Sequence, residues 1–390
     1  MIKGCILPWM HMHGTVQGQY KLCCYVSTND TVGDYTQPIS SIFNNEKYKK
    51  IRLQFLNGEI PYPCKIGCYD TESLGGESNR QQVNKRFKNL SKLQKFTNSD
   101  GSIKNTPIYL DFRFGNKCNF KCRICGPSAS SSWFKDARYI SNFKNAKKQL
   151  EDYYTDNEDF WKYLSDIKKS IKYLYFAGGE PLVMDGHYKL LQWLIDNNKT
   201  DVEITYNTNL STLSYKNFDV FNLWNNFTNI SLWPSIDGFK DHCEYGRTNF
   251  NWDVFEKNLK KVKQYVDTVS CTVSIYSALT TAELIIYLKS FNINTYLSML
   301  DTPNHLDCRL LPLDIKDLIV KKFLIMKKKI IFNESEEINI SKAISYLQSE
   351  IQDKDSLLRK FKQYNMEIDK LNGTSFTTVY PELAQWYEKI

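Results

Sequence analysis

After residue 102 the chain settles into a regular alternation. Short apolar runs at 108–114, 171–176, 202–206, 230–236, 269–275 and 293–297 have strand length and are rich in β-branched and aromatic residues. Between them lie stretches whose apolar residues recur three and four positions apart, among them 187–197 and 252–266, and these predict amphipathic helices. Strand–helix alternation predicts a parallel sheet or barrel, and six such units make a partial barrel rather than the full eight. The fold class expected is therefore α/β, a partial (β/α)6 TIM-like barrel over 103–312. The first 102 residues are turn-rich, with one helix expected near 48–57. The pair Gly75-Gly76 and a polar run at 77–85 follow, and Asn98-Ser-Asp-Gly-Ser102 has the turn chemistry of a linker. From 313 to 390 the pattern is mainly helical. The stretch 318–332 there is basic, and its lysines are expected on the solvent side of a core helix.

Composition bounds the function. Of 390 residues, 42% are hydrophobic and 24% charged, enough for a sizeable core. The net charge of +8 is scattered rather than gathered, which makes nucleic acid a poor candidate partner. Residues 1–12 hold no uninterrupted apolar stretch of signal-peptide length. No run approaches the roughly 18–20 uncharged apolar residues that a membrane span needs. The expectation is a cytoplasmic protein with no membrane partner.

Eleven cysteines change this picture. In a reducing compartment, close cysteine spacings point to metal or catalysis more than to disulfides. Cys243, Cys271 and Cys308 are isolated and read as small buried hydrophobes. Cys118-Asn-Phe-Lys-Cys122-Arg-Ile-Cys125 directly follows the first strand of the alternating region. Thiolates select soft sites such as iron–sulfur clusters or zinc. Three of them on one loop can reach three corners of a cube-shaped cluster, leaving the fourth iron open. A zinc knuckle with a distant fourth ligand is the alternative.

This segment resembles the radical SAM superfamily, whose signature is three cysteines spaced by three and two residues after the first strand of a partial barrel. Ile124 stands where the family usually has an aromatic residue with a backbone contact to adenine. A second match, Gly178-Gly179-Glu180-Pro181, follows the second strand. In the family this segment binds the amino group of S-adenosylmethionine (SAM). Glycines let backbone approach a ligand closely, and a carboxylate can take an ammonium group. Asn207, with Thr208 and Asn209, ends the third strand. Ser235-Ile-Asp237-Gly238 ends the fourth, where the family places polar groups near the ribose. Ligand sites at the carboxyl ends of parallel strands follow the general rule for such sheets. Arg247 could pair with the SAM carboxylate or form a surface salt bridge.

The N-terminal cysteines carry a further resemblance, to the twitch and SPASM extensions of radical SAM enzymes. Cys5 and Cys23 flank Gly18 at that spacing, and Gly18 would turn a hairpin that brings them together. Cys64-Lys-Ile-Gly-Cys68 adds two more thiols. Four ligands imply one closed auxiliary 4Fe–4S cluster, with zinc as the other occupant. Cys24 could replace Cys23, while His11 and His13 read as packing or hydrogen-bonding residues. The extension usually follows the barrel, and here it precedes it.

The resemblance implies a radical SAM enzyme carrying an open-site 4Fe–4S cluster and SAM. Reductive cleavage of SAM would give a 5′-deoxyadenosyl radical that takes hydrogen from a substrate. It implies an electron donor such as flavodoxin or ferredoxin, and a peptide or small-molecule substrate. The competing classes are an RNA- or nucleotide-modifying radical SAM enzyme and a non-enzymatic metal-binding protein.

Overall fold

A computed structural model of the chain describes residues 4–27, 29–73, 77–143, 146 and 152–390. Gly75-Gly76 lies outside the described residues. The chain divides into two compact units. The first is Met1–Gly115, Leu150–Thr205 and Phe218–Ile230; the second is Asn116–Gln149, Tyr206–Asn217 and Ser231–Ile390. In chain order the strands are β1 (His11–Gly14), β2 (Gln19–Lys21), β3 (Thr31–Asp34), β4 (Tyr109–Phe112), β5 (Lys121–Cys122), β6 (Tyr173–Phe176), β7 (Glu203–Thr208), β8 (Ser214–Tyr215), β9 (Phe218–Asp219), β10 (Asn229–Pro234), β11 (Arg247–Thr248), β12 (Thr268–Val273) and β13 (Asn294–Met299). Each of the six expected strands of the alternating region is present, as β4, β6, β7, β10, β12 and β13. The main sheet runs β10-β7-β6-β4-β1-β2-β3. The protein is a mixed α/β molecule with a parallel central sheet.

In the first unit β4 pairs in parallel with β6 on one side and with β1 on the other. Gly18 does turn a hairpin. It sits at φ +75°, its N–H donates to the Thr15 carbonyl at 3.1 Å, and β1 and β2 pair antiparallel on either side. A side chain there would meet Tyr35 and Tyr153 at 2.7 Å, so both conformation and space call for glycine. Two features of the helix Glu46–Leu56 hold the hairpin in place. The Tyr48 hydroxyl donates to the His11 carbonyl at 2.9 Å, and the fully buried Arg52 donates from Nε to Pro8 O at 2.9 Å. Asn45 caps this helix by accepting from the Tyr48 N–H. One face of the sheet is apolar: Met12, Leu110, Phe112, Leu174 and Phe176 are each 1% exposed. Phe160, on the helix Glu158–Ile167, packs edge-on to Phe112. His187, on the helix Asp185–Asp196, packs edge-on to Phe176.

In the second unit β12 and β13 pair in parallel over six residues. Bridges from Leu232 to Val266 and from Ser235 to Ser270 lead from β10 to β12. Val269, Cys271 and Val273 alternate inward, the period-two burial that a half-covered strand requires. Cys243, Cys271 and Cys308 are each fully buried. The helices Leu313–Lys329, Glu334–Gln348 and Lys354–Asn372 make up most of the C-terminal stretch. The first buries Ile315, Ile319, Phe323 and Met326 along one face. Among the described residues no helix is long and apolar enough to cross a membrane.

Candidate functional site

The loop from Cys118 to Cys125 belongs to the second unit, and its shape is held from several directions. Cys122 lies in β5 and pairs antiparallel with Arg247 of β11. The Cys125 N–H donates to Cys122 O at 3.0 Å, which folds the two thiols onto one turn. The Ser132 hydroxyl donates to Cys118 O at 2.7 Å and the Trp133 indole N–H to Cys122 O at 3.2 Å. Two donors approach the Cys118 sulfur: the Phe120 N–H at 3.5 Å and Asn209 Nδ2 at 4.0 Å. Asn209 also donates to Asn119 Oδ1 at 2.9 Å. Donors aimed at sulfur stabilise thiolate over thiol. The Cys125 thiol lies below its ordinary range because it accepts from Cys122, with the Arg247 charge acting in the same direction against burial.

Arg123, between the second and third cysteines, is the residue that sequence reasoning passed over. Its side chain is 0% exposed. Nε donates to Tyr245 O at 2.9 Å, Nη1 to Asn365 Oδ1 at 2.9 Å, and Nη2 to Asp369 Oδ1 at 2.6 Å and Thr374 Oγ1 at 2.9 Å. The guanidinium also lies 3.7 Å from the centre of the Tyr245 ring. The Tyr364 hydroxyl donates back to Arg123 O at 2.8 Å. Tyr364, Asn365 and Asp369 all belong to the helix Lys354–Asn372. The cysteine loop is therefore fastened to a helix some 240 residues later in sequence. The available signal was an arginine inside a cysteine motif that no nearby acidic residue could satisfy.

The other expected binding residues of this unit fall at the ends of β7 and β10. Asn207 Oδ1 is buried without a hydrogen-bond partner. Ser235 N–H donates to Thr208 O at 2.8 Å. Arg247 forms a buried ion pair with Asp237: Nε donates to Oδ2 at 2.8 Å, and Nη2 lies 2.7 Å from the same oxygen. Asp237 Oδ1 accepts from the Thr272 N–H at 2.7 Å. Ile124 is half-buried.

In the first unit Gly178 has φ +113°, and a side chain on it would meet Gly115 O at 3.0 Å. The Gly179 N–H donates to that same carbonyl at 3.2 Å. Glu180 is 1% exposed, and its Oε1 accepts from the Leu182 N–H at 3.0 Å, capping a short turn that starts at Pro181. A buried carboxylate beside two glycines suits a cationic ligand group.

Also in the first unit, Cys5, Cys23, Cys64 and Cys68 line a single cavity. Leu7, Leu22, Val26 and Pro63 supply its apolar wall. Burial pushes the Cys64 thiol up to about 12 and raises Cys5, Cys23 and Cys68 as well. Three groups oppose this at Cys68: the Arg80 N–H, the Ser78 hydroxyl and the Arg80 charge. Arg80 is itself fixed by Glu72 and by Gly4 O, the latter at 2.9 Å. Cys24 points elsewhere. It is exposed, and the charges nearest it are Asp111, Arg113 and Lys21. Among the described residues no three His, Cys, Asp or Glu side chains are arranged to hold one metal ion.

Residues 112–299 match the model of the radical SAM superfamily. This chain carries a radical SAM domain. The matched span contains the cysteine loop, the Gly178–Pro181 segment and the polar ends of β7 and β10. No curated protein matches the chain. Among solved structures it is similar to TYW1 with a lysine-pyruvate adduct bound, at 12% identity and TM-score 0.33, over 59% of this chain and 78% of that one. It is also similar to Streptococcus suis SuiB bound to precursor peptide SuiA, at 12% identity and TM-score 0.36, over 88% of this chain and 66% of that one.

The residues present fit what a radical SAM enzyme has to hold. Three thiols on one loop, with N–H donors and an arginine turned toward them, suit an iron–sulfur cluster. In the second unit the unpartnered Asn207 Oδ1 suits a polar ligand group; in the first, the close backbone at Gly178 suits near approach of a ligand.

Proposed function

We propose that this radical SAM enzyme holds its open-site 4Fe–4S cluster on Cys118, Cys122 and Cys125, a closed auxiliary 4Fe–4S cluster on Cys5, Cys23, Cys64 and Cys68, and modifies a peptide or small molecule. One observation supports the auxiliary site most directly: four thiols from three separate chain segments line one apolar cavity. Thiols left in such surroundings would be inert, with raised pKa values, whereas coordination deprotonates them.

When bound, the open-site cluster and SAM supply the 5′-deoxyadenosyl radical that takes hydrogen from substrate. The protein's part is orientation. Gly178 and Gly179 let backbone approach the ligand, Glu180 takes the SAM ammonium group, and Asn207, Ser235, Asp237 and Arg247 hold the ribose and carboxylate, as the resemblance implies. Asp237 already neutralises Arg247, so the pair fixes the geometry of the loop as much as it offers charge. We further propose a fold of three parts. Residues 1–102 carry the auxiliary cluster, 103–312 form the partial (β/α)6 core, and 313–390 form the helical extension. Flavodoxin or ferredoxin would supply electrons in a reducing cytoplasm. The substrate class rests on the resemblance of the N-terminal cysteines to twitch and SPASM enzymes, whose relatives often act on ribosomally made peptides or small molecules. Incubating the reduced protein with SAM and candidate peptides tests the reading. It should yield 5′-deoxyadenosine together with a peptide mass change; a mass change confined to tRNA would overturn the substrate class.

A further inference from the structure

The sheet of the first unit has two unlike faces. Opposite the apolar face, β1, β4 and β6 present His11 beside Tyr109 and Tyr173, and one step on His13 beside Asp111 and Tyr175. Lys21 of β2 is the partner of His13 on the other side. A parallel sheet covered on both faces is ordinarily apolar on both. This face instead carries a row of ionisable groups, most of them nearly buried: Asp111 is 3% exposed, His13 and Lys21 5% each. Burying charges costs stability unless they are paired, and such rows mark functional sites more often than structural ones.

The lower row is closed. Phe87 packs edge-on to Tyr173 and tilted against Tyr109, with Arg86 over the Phe87 ring at 4.9 Å. The upper row is braced but not closed. His13 Nδ1 lies 2.8 Å from Asp111 Oδ2 and donates to it. Arg113, just past the end of β4, pairs side-on with the same carboxylate, Nε to Oδ1 at 3.0 Å and Nη2 to Oδ2 at 3.2 Å. The guanidinium lies 5.2 Å from the Tyr175 ring. One carboxylate therefore orients two cationic or cation-capable groups. Asp111 engages Nδ1 of His13 and Nε and Nη2 of Arg113, Arg113 also interacts with the Tyr175 hydroxyl, and among the described residues no second carboxylate pairs with either side chain. Arg113 also adjoins the ligand-binding turn: a side chain on Gly178 would lie 3.5 Å from Arg113 Cβ. Lys21 adds positive charge, although its ammonium donates to Val26 O at 2.7 Å.

We propose that Arg113 and His13, braced by Asp111, form a carboxylate-binding site that positions the reacting ligand next to the Gly178 turn. A planar guanidinium with N–H groups beyond those Asp111 takes, and an imidazole able to donate from Nε2, match two oxygens of a carboxylate. The carboxylate is an acidic group of the substrate; the methionine end of SAM, assigned above to Arg247, is the competing source that the test distinguishes. The proposal rests on the reading of this chain as a radical SAM enzyme that modifies a peptide or small molecule.

Two probes separate the sources. The iron-loaded full chain is titrated with SAM and, separately, with N-acetyl-triglycine and its C-terminal amide, binding being followed by ligand-detected NMR. The acid should bind at least about tenfold more tightly than the amide if the substrate supplies the carboxylate. Arg113→Gln should weaken that probe about ten- to hundredfold, the loss typical of a charge-assisted contact. Arg113→Lys should keep part of the affinity, and His13→Asn should lose less than Arg113→Gln. If Arg113→Gln weakens SAM by that factor and leaves the acid unchanged, the carboxylate is that of SAM. If an Arg113→Gln protein with parental iron content binds both SAM and the acid as the parent does, or if acid and amide bind alike and SAM is unaffected, the site is refuted. Should Arg113→Gln fail to load iron, Arg113→Lys and His13→Asn decide, since a loaded pair with parental affinities refutes it equally. Iron content and 5′-deoxyadenosine formation by the parent protein test the enzyme reading independently of all these titrations.

Discussion

Cys122 illustrates how much one residue carries here: it is 7% exposed, sits in a two-residue ladder with Arg247, and is one of only three thiols on its loop. Alanine preserves the backbone ladder and removes the sulfur. Cys122→Ala should therefore fold, lose about four irons per chain and make no 5′-deoxyadenosine; SAM cleavage at the parental rate would refute the ligand assignment. Glu180 has two separable roles. Its Oε1 caps the turn after Pro181, and its charge is proposed to take the SAM ammonium group. Glu180→Gln keeps a capping oxygen and loses the charge, so SAM affinity should fall roughly ten- to hundredfold, or about 1.5–3 kcal/mol, while the melting temperature barely moves. Unchanged SAM affinity by calorimetry would remove Glu180 from the site. Gly178 is constrained differently. At φ +113° with Gly115 O 3.0 Å from any Cβ, Gly178→Ala should cost about 1–3 kcal/mol in urea denaturation. Of these residues, the cysteines and the glycine–glutamate turn were singled out in the sequence by their motifs and the resemblance those carry. Arg123, His13, Asp111 and Arg113 were not, because their partners are distant in sequence. Nothing local marks an arginine in a cysteine loop as the partner of Asp369, or a histidine in a hairpin as the partner of a strand residue almost a hundred positions on.

Among the elements, the helix Lys354–Asn372 has the most to gain from its contacts. It buries Leu357, Leu358, Phe361, Tyr364 and Ile368, and Gly373 ends it in the left-handed conformation at φ +65°. Its polar face is fastened to the cysteine loop through Asp369, Asn365 and Tyr364. Removing one side of a buried ion pair costs about 3–5 kcal/mol, because the partner is left without compensation. Arg123→Ala should lower stability by about that amount and speed amide exchange both in 118–125 and in 354–374. Arg123→Lys, which cannot span Asp369, Asn365 and Tyr245 O together, should fall between parent and alanine. Equal exchange in the two segments of parent and Arg123→Ala would show that the helix is held by apolar packing alone. That 313–390 is mainly helical was read from the sequence. What the polar face of this helix meets was not.

For the molecule as a whole, the iron count is the most direct test. Two four-iron clusters predict about eight irons per chain, and replacing Cys64 and Cys68 together should bring this to about four while SAM cleavage survives in part. A parent protein that binds only about four irons after full reconstitution would leave the N-terminal cavity to zinc or to a purely structural role. Zinc analysis of the same sample tells these two apart.

The division between sequence and tertiary structure follows from how far each signal reaches. Local patterns decided which segments are strands and helices: six apolar runs became β4, β6, β7, β10, β12 and β13, with ends displaced by at most two residues. They also placed the cysteine loop after the first of these, since burial period and ligand spacing are properties of consecutive residues. That β1 would lie in parallel beside β4 was not readable. His11–Gly14 is four residues long and half polar, too short for any pattern to name its neighbour. The grouping of Cys5, Cys23, Cys64 and Cys68 was expected from the resemblance, and the fold lines one cavity with them; only the folded chain sets His13, Asp111 and Arg113 in one row. Convergence of this kind depends on strand register and on helix docking. Both are settled by burying apolar surface from distant parts of the chain at once, and no stretch of sequence contains that information by itself.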